Sequence, residues 1–357
     1  MRSRIALHKI LSVHPSSCIT NRNKQTKTVI RKLCSHHQDD NNDKYKWRRR
    51  RVVITGMGAI TPLGYDMEST WQSVLQTNEQ QYQNGGITSS YHALEQQNLS
   101  PAQFEKEWEI LKSLSCQVAA SVPYEWISNH PHYTQTQSPP WLDGRTGRFV
   151  QLAMIAAQEA IDNSGLNDWL ESNNTEQSTI GVSVGNGMSS TRDISMASSK
   201  SIRKLSPHFI PQILPNSPAA RIAIHNNLHG PNLSHSEACA AGAAAVAQAI
   251  ELIQIGKVDA MVAGGCESAV EALGLSGFSR LRALSTSSHT SDAADKSEEE
   301  KMPLQSCSRP FDSNRNGFVL AEGAAMLVLE DYEHAIARGA GELILAEVLG
   351  VGYSGDG

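Results

Sequence analysis

Of the six cysteines in this 357-residue chain, Cys239 has the neighbours best suited to chemistry. Gly230-Pro231-Asn232 leads through Ser236-Glu237-Ala238-Cys239 into Ala240-Ala241-Gly242, so the thiol sits where a turn gives way to a helix of small residues. At such a helix mouth, unpaired N–H groups and aligned peptide dipoles favour the thiolate, the nucleophilic form of the side chain. Small neighbours let a carbonyl approach the sulfur, and the Cys239 N–H can donate to the oxyanion that results. The same residues also fit a buried structural cysteine in an Ala-rich helix. The others (Cys18, Cys34, Cys116, Cys266 and Cys307) are scattered with no Cys-x-x-Cys pair. That spacing argues against a zinc site or a disulfide framework and favours a reducing compartment.

Positioning such a thiol requires rigid elements, and the apolar pattern supplies them. Val52-Val53-Ile54 reads as a buried strand that stops at a glycine turn, Thr55-Gly56-Met57-Gly58. Residues Thr146 to Gly165 carry apolar side chains at helical spacing and end in Asn163-Ser164-Gly165, a stop signal. Ile180 to Val184 is a second strand, followed by Gly185-Asn186-Gly187. Ala240 to Ile255 reads as a helix halted by Gly256, Val258 to Ala263 as a third strand closed by Gly264-Gly265, and Ala324 to Leu329 as a fourth. Helices alternating with short, continuously apolar strands predict an α/β fold with a largely parallel sheet covered on both faces. The Gln-, Asn- and Ser-rich segment Gln80 to Gln103 reads as a loop-rich insertion, and the acidic segment Ser285 to Ser308 as a solvated one.

The bulk composition narrows the class. Hydrophobic residues make up 39% and charged residues 19%, as in a globular protein. A formal charge of −5 gives no electrostatic case for nucleic acid as a partner. No apolar run reaches the ~20 residues of a membrane-spanning helix. The first 38 residues differ: no acidic residue occurs before Asp39, while arginines and lysines are spread among Ser, Thr and Asn. This is the composition of an organelle transit peptide, mitochondrial or alternatively plastid, with a disordered basic tail as the other reading.

The order of motifs along the chain resembles that of the β-ketoacyl-(acyl-carrier-protein) synthases, the single-enzyme mitochondrial type in particular. Arg50 to Gly64, Gly230-Pro231-Asn232 with Ala238-Cys239, Gly256 to Glu267, Gly277-Phe278, Arg282 to Thr286, Ser308 to Asp312, Arg315 to Glu322, Val348-Leu349-Gly350 and Ser354-Gly355-Asp356 follow collinearly. The resemblance implies a thiolase-like layered α/β fold, of which this chain carries the first half and the start of the second. The implied boundaries are a leader over 1–48, an N-terminal synthase domain over 49–305 and the beginning of a C-terminal synthase domain over 306–357. Cys239 would take an acyl group from an acyl carrier protein as a thioester. A carrier-bound malonyl group would then lose carbon dioxide and attack that thioester, lengthening the chain by two carbons. A thiolate suits the step because it is nucleophilic near neutral pH and also leaves readily. Phe278 and Met188 match positions lining the acyl pocket, and Arg282 a basic residue that faces the carrier; core packing and an ordinary surface arginine are the plainer readings. The resemblance implies a homodimer and no diffusible cofactor.

The chain also departs from the pattern. The family's two histidine motifs and its lysine are absent up to Gly357, so the reading is of a fragment or truncated product of a longer enzyme. Leu233, Ser234, His235 and Glu237 stand where the family places small or β-branched residues. A Glu237 carboxylate turned inward would disfavour the thiolate, and His235 is a candidate local base. Asn316 replaces an expected Asp and Ala321 an expected Gly. A non-catalytic subunit pairing with a full-length synthase, and a thiolase-type acyltransferase, are the competing readings.

Overall fold

The apolar runs, joined by half-exposed edge strands, assemble into one six-stranded sheet. The computed structural model describes residues 49–75, 86–130, 145–172, 179–198, 200–286 and 304–355; the leader over 1–48 lies outside them. The strands are β1 (Val52–Ile60), β2 (Thr88–Ser89), β3 (Val118–Ala119), β4 (Ile180–Gly185), β5 (Asn232–His235), β6 (Ala260–Glu267), β7 (Gly323–Asp331) and β8 (Ala346–Val348). The helices that position the site are α1 (Arg148–Ser164), α2 (Ser217–His225), α3 (Ala241–Gln254), α4 (Ala272–Arg280) and α5 (Tyr332–Ala337). The main sheet runs β5-β4-β6-β7-β1-β8, while β2 and β3 pair separately.

The sheet is mixed rather than largely parallel. Only β5, β4 and β6 run parallel; β7 is antiparallel to both β6 and β1, and β8 is antiparallel to β1. An apolar run records that both faces of a strand are buried, and burial does not encode direction. Alternate residues of β6 supply the two faces. Ala260 and Val262 join α1 and α2 in one core, whereas Met261 and Ala263 join Ala249, Ile250 and Ile253 of α3 in another. Phe149, Leu152, Ile155 and Ile161 of α1 are fully buried, each stabilising the fold by roughly 1.5–3 kcal/mol. Gly165 ends α1 in the left-handed conformation, φ 66°, as its stop signal requires.

The glycines of the first strand have a different purpose from the one expected. Thr55-Gly56-Met57-Gly58 does not close β1, which continues through a bulge between Ile54 and Gly56 to Ile60. A Cβ on Gly56 would fall 2.0 Å from the Ala160 carbonyl oxygen, and one on Gly58 2.1 Å from that of Ala156. These glycines let α1 lie directly on the strand. Gly264-Gly265 likewise lies inside β6 instead of ending it. The segment 80–103 is also more ordered than expected. Beyond residues 80–85, outside the described region, it holds β2, the helix Ser90–Glu95 and the start of the helix Pro101–Leu111. Of the acidic segment 285–308, residues 287–303 lie outside the description. At its first end Ser285 is buried, its N–H donating to the Phe318 carbonyl at 2.9 Å.

Candidate active site

The C-terminal ends of the parallel strands β4 and β6 meet the start of α3, and Cys239 stands at that junction. A single 3-10 turn, Ala238–Ala240, carries the cysteine from the β5 loop into α3. Ala238 adopts φ 49°, a left-handed backbone that costs a non-glycine residue roughly 1–2 kcal/mol. Gly185 makes room for the turn, since a Cβ there would lie 2.1 Å from the Ala241 carbonyl oxygen. The neighbouring loops are tied together. The Asn186 N–H donates to the His235 carbonyl at 3.0 Å, and its side-chain amide donates to the Pro215 carbonyl at 2.7 Å.

Cys239 is exposed, whereas Cys116, Cys266 and Cys307 are buried. It opens onto a depression of about 520 Å³ whose wall includes Met188, Phe278, Phe318 and Leu320. Phe278 and Phe318 meet edge to face, ring centroids 5.5 Å apart. Three of the four residues singled out in the sequence thus share one mostly apolar cavity. Arg282 does not join them. It follows α4 with φ 57°, its N–H donating to the Ser279 carbonyl at 2.9 Å, and its side chain is exposed.

Two cavity residues escaped the sequence reading. Cys266, at the end of β6, lines the same depression, and burial pushes its thiol well above the ordinary range. Glu267 follows it. Its Oε2 accepts the N–H groups of Gly187 and Met188, each at 3.0 Å, and its Oε1 accepts the Ser268 N–H at 3.2 Å. Burial raises the Glu267 pKa, and these three N–H donors only partly counter it. A carboxylate directly after an apolar strand was the available sign.

The two unusual residues before Cys239 resolve by direction. The Glu237 side chain is 54% exposed, and its Oε1 lies 3.5 Å from Nδ1 of His235. It therefore faces solvent rather than the cavity. Neither residue lines the depression, and among the described residues no histidine does. Asn316 fills its place with a hydrogen bond, its Oδ1 accepting from the Ser285 hydroxyl at 2.9 Å.

Comparison with known proteins bears on this arrangement. Residues 49–335 match the N-terminal domain of the β-ketoacyl synthases. The chain is similar to a mitochondrial 3-oxoacyl-(acyl-carrier-protein) synthase of Arabidopsis thaliana, with 38% identity over 86% of this chain and 61% of the relative. It is also similar to the 3-oxoacyl-(acyl-carrier-protein) synthase 2 of Vibrio cholerae, with 35% identity over 86% of this chain and 64% of that protein. Among solved structures, a β-ketoacyl synthase from Burkholderia phymatum superposes with a TM-score of 0.60 at 30% identity, covering 84% of this chain and 62% of that one. The chain thus spans somewhat less than two thirds of the length of these relatives, and its fold is that of the thiolase-like ketosynthases.

Proposed function

Because the chain belongs to the β-ketoacyl synthase family, we propose that it carries the acyl-accepting half of a 3-oxoacyl-(acyl-carrier-protein) synthase. Cys239 attacks the thioester carbonyl of an acyl carrier protein. The new C–S bond forms as the carrier's thiol leaves with a proton, and the backbone N–H of Cys239 steadies the oxyanion between the two. The apolar wall of Met188, Phe278 and Phe318 receives the fatty chain. The observation that carries this reading is the one exposed cysteine among the described residues, at a helix mouth, opening onto that wall.

Decarboxylative condensation with a malonyl thioester is the reaction proposed for the whole enzyme. Within the cavity described, no histidine stands near the sulfur to polarise that second thioester. Arg282, exposed beyond α4, is proposed to meet the acidic carrier, and a homodimer is the proposed assembly. Likeness to a synthase described as mitochondrial, together with a basic leader free of acids over residues 1–38, supports a mitochondrial location.

The test is incubation of the purified chain with an acyl-(acyl-carrier-protein) thioester, followed by intact-mass measurement. The expected result is a gain of one acyl group, absent from Cys239→Ser. A folded wild-type chain that gains none overturns the proposal.

A further inference from the structure

Glu267 is a half-buried carboxylate on the wall of a fatty-chain cavity, and a purely apolar residue would avoid the cost of placing it there. Its oxygens reach the backbone rather than a cation. Oε2 draws in the consecutive N–H groups of Gly187 and Met188, both at 3.0 Å, and these two residues form part of the same wall. Gly187 lies between two features. A Cβ there would sit 3.1 Å from Oε2 of Glu267 on one side and 3.4 Å from the Ala238 carbonyl oxygen on the other. Ala238 is the left-handed residue immediately before Cys239. The carboxylate, the Gly187-Met188 turn and the strained Ala238-Cys239 turn are thus stacked in direct succession.

We propose that Glu267 is a positioning residue: by holding the Gly187-Met188 turn against the Ala238-Cys239 turn, it fixes the cavity wall beside the sulfur and so sets how long a chain Cys239 can accept. This deepens the reading of Cys239 as acyl acceptor and rests on it for its biological meaning. The geometry itself is tested without acyl transfer. Released from Glu267, the two N–H groups of the Gly187-Met188 backbone would lose the acceptor they share, and the Met188 side chain would no longer have a fixed place over the cavity. Glutamine keeps one carbonyl oxygen in reach of the two donors, whereas alanine keeps none.

The probes are N-alkyl iodoacetamides with short and long straight tails. The Cys239 sulfur attacks the iodomethyl carbon, a C–S bond forms, iodide leaves and the thiol proton passes to buffer. The ratio of long-tail to short-tail alkylation at Cys239 is read by peptide mass mapping in wild type, Glu267→Gln and Glu267→Ala, with thermal melting as the check on folding. The expected result for Glu267→Ala is a change in that ratio of about tenfold, the order expected when hydrogen bonds to a charged group hold a loop, with short-tail labelling nearly unchanged. Glu267→Gln should keep the ratio within about threefold of wild type. An unchanged ratio in folded Glu267→Ala overturns the proposal, as does an equal loss for both tails, which marks a merely structural role. If Glu267→Ala does not fold, the Glu267→Asp variant decides: its carboxylate, withdrawn by one methylene, must shift the ratio. Failure of wild type to take acyl groups from carrier thioesters, with these ratios as expected, removes the acyl-acceptor reading and leaves the positioning role standing.

Discussion

Two glutamates at opposite ends of the central strand pair show how one side chain is put to different uses. Glu330, on β7 opposite Ala260, is fully buried and meets Arg338 at 2.5 Å, His334 at 2.9 Å and the Thr55 hydroxyl. Burial pushes its pKa up, but the guanidinium, imidazole and hydroxyl together bring it down to about 2. Glu267, at the other end of β6, meets only backbone N–H groups, and burial leaves its pKa above the ordinary value. At the first end the carboxylate is answered by a guanidinium, an imidazole and a hydroxyl. The second end leaves its carboxylate without a cation, its neighbouring backbone strained and its cysteine exposed. A carboxylate without a cation, a left-handed backbone and an exposed thiol gather at the cavity, features that a stability-driven design would remove. Glu322 shows that a carboxylate at the cavity end can also be answered: it is buried beside the cavity-lining Gly323, yet Arg148 at 2.6 Å and hydrogen bonds from Ser121 and Val122 hold it below the ordinary range.

The comparison breaks most readily at Arg338. Arg338→Met leaves Glu330 buried without its cation and should cost about 3–5 kcal/mol in urea unfolding. Adding Glu330→Gln to the same chain should recover part of that loss, because the stranded charge is gone. A loss below about 1 kcal/mol for Arg338→Met would put the network at the surface in energetic terms.

Acid should then discriminate the two ends. Glu330 has a folded pKa depressed from 4.5 to about 2, so its contribution is present above the unfolded value and is lost as pH falls through the folded one. About 3 kcal/mol should disappear between roughly pH 5 and pH 2, and Glu330→Gln should flatten that part of the profile. Glu267 has the opposite sign. Its raised folded pKa opposes folding once pH rises through that value, so Glu267→Gln should change stability at neutral pH by no more than about 1 kcal/mol. Urea midpoints across the pH range check both statements.

The smallest effect is expected at Glu237. Its carboxylate is exposed and turned to His235, so Glu237→Gln should alter the alkylation rate of Cys239 by less than about twofold. A larger change would mean that the carboxylate acts on the sulfur after all.

Much of this arrangement was legible in the sequence. The helix stop signals at Gly165 and Gly256 fall one and two residues past their helices, because left-handed backbone has a recognisable chemistry. The apolar strands β4, β6 and β7 were found, although β6 begins two residues later than expected and runs on to Glu267. Strand direction was not legible, since β7 and β4 carry equally apolar runs while only β4 is parallel to β6. The edge strand β5 was missed because its sequence, Asn-Leu-Ser-His, is half exposed and lacks any apolar run. Glycines in β1 were misread as a turn, because close helix approach and turn formation select the same residue. At the site, Cys239, Met188 and Phe278 could be named from motif order. Glu267 could not, since its role depends on a loop 80 residues away that only folding brings to it.

The claim on which all this depends is that one sulfur of the native protein is available at the cavity mouth. Brief treatment of the folded chain with iodoacetamide, followed by peptide mapping of Cys116, Cys239, Cys266 and Cys307, tests it directly. Among these four, modification confined to Cys239, with the other three reacting only after unfolding, is the result predicted. Modification of Cys266 first, or protection of Cys239 until the chain unfolds, would contradict it.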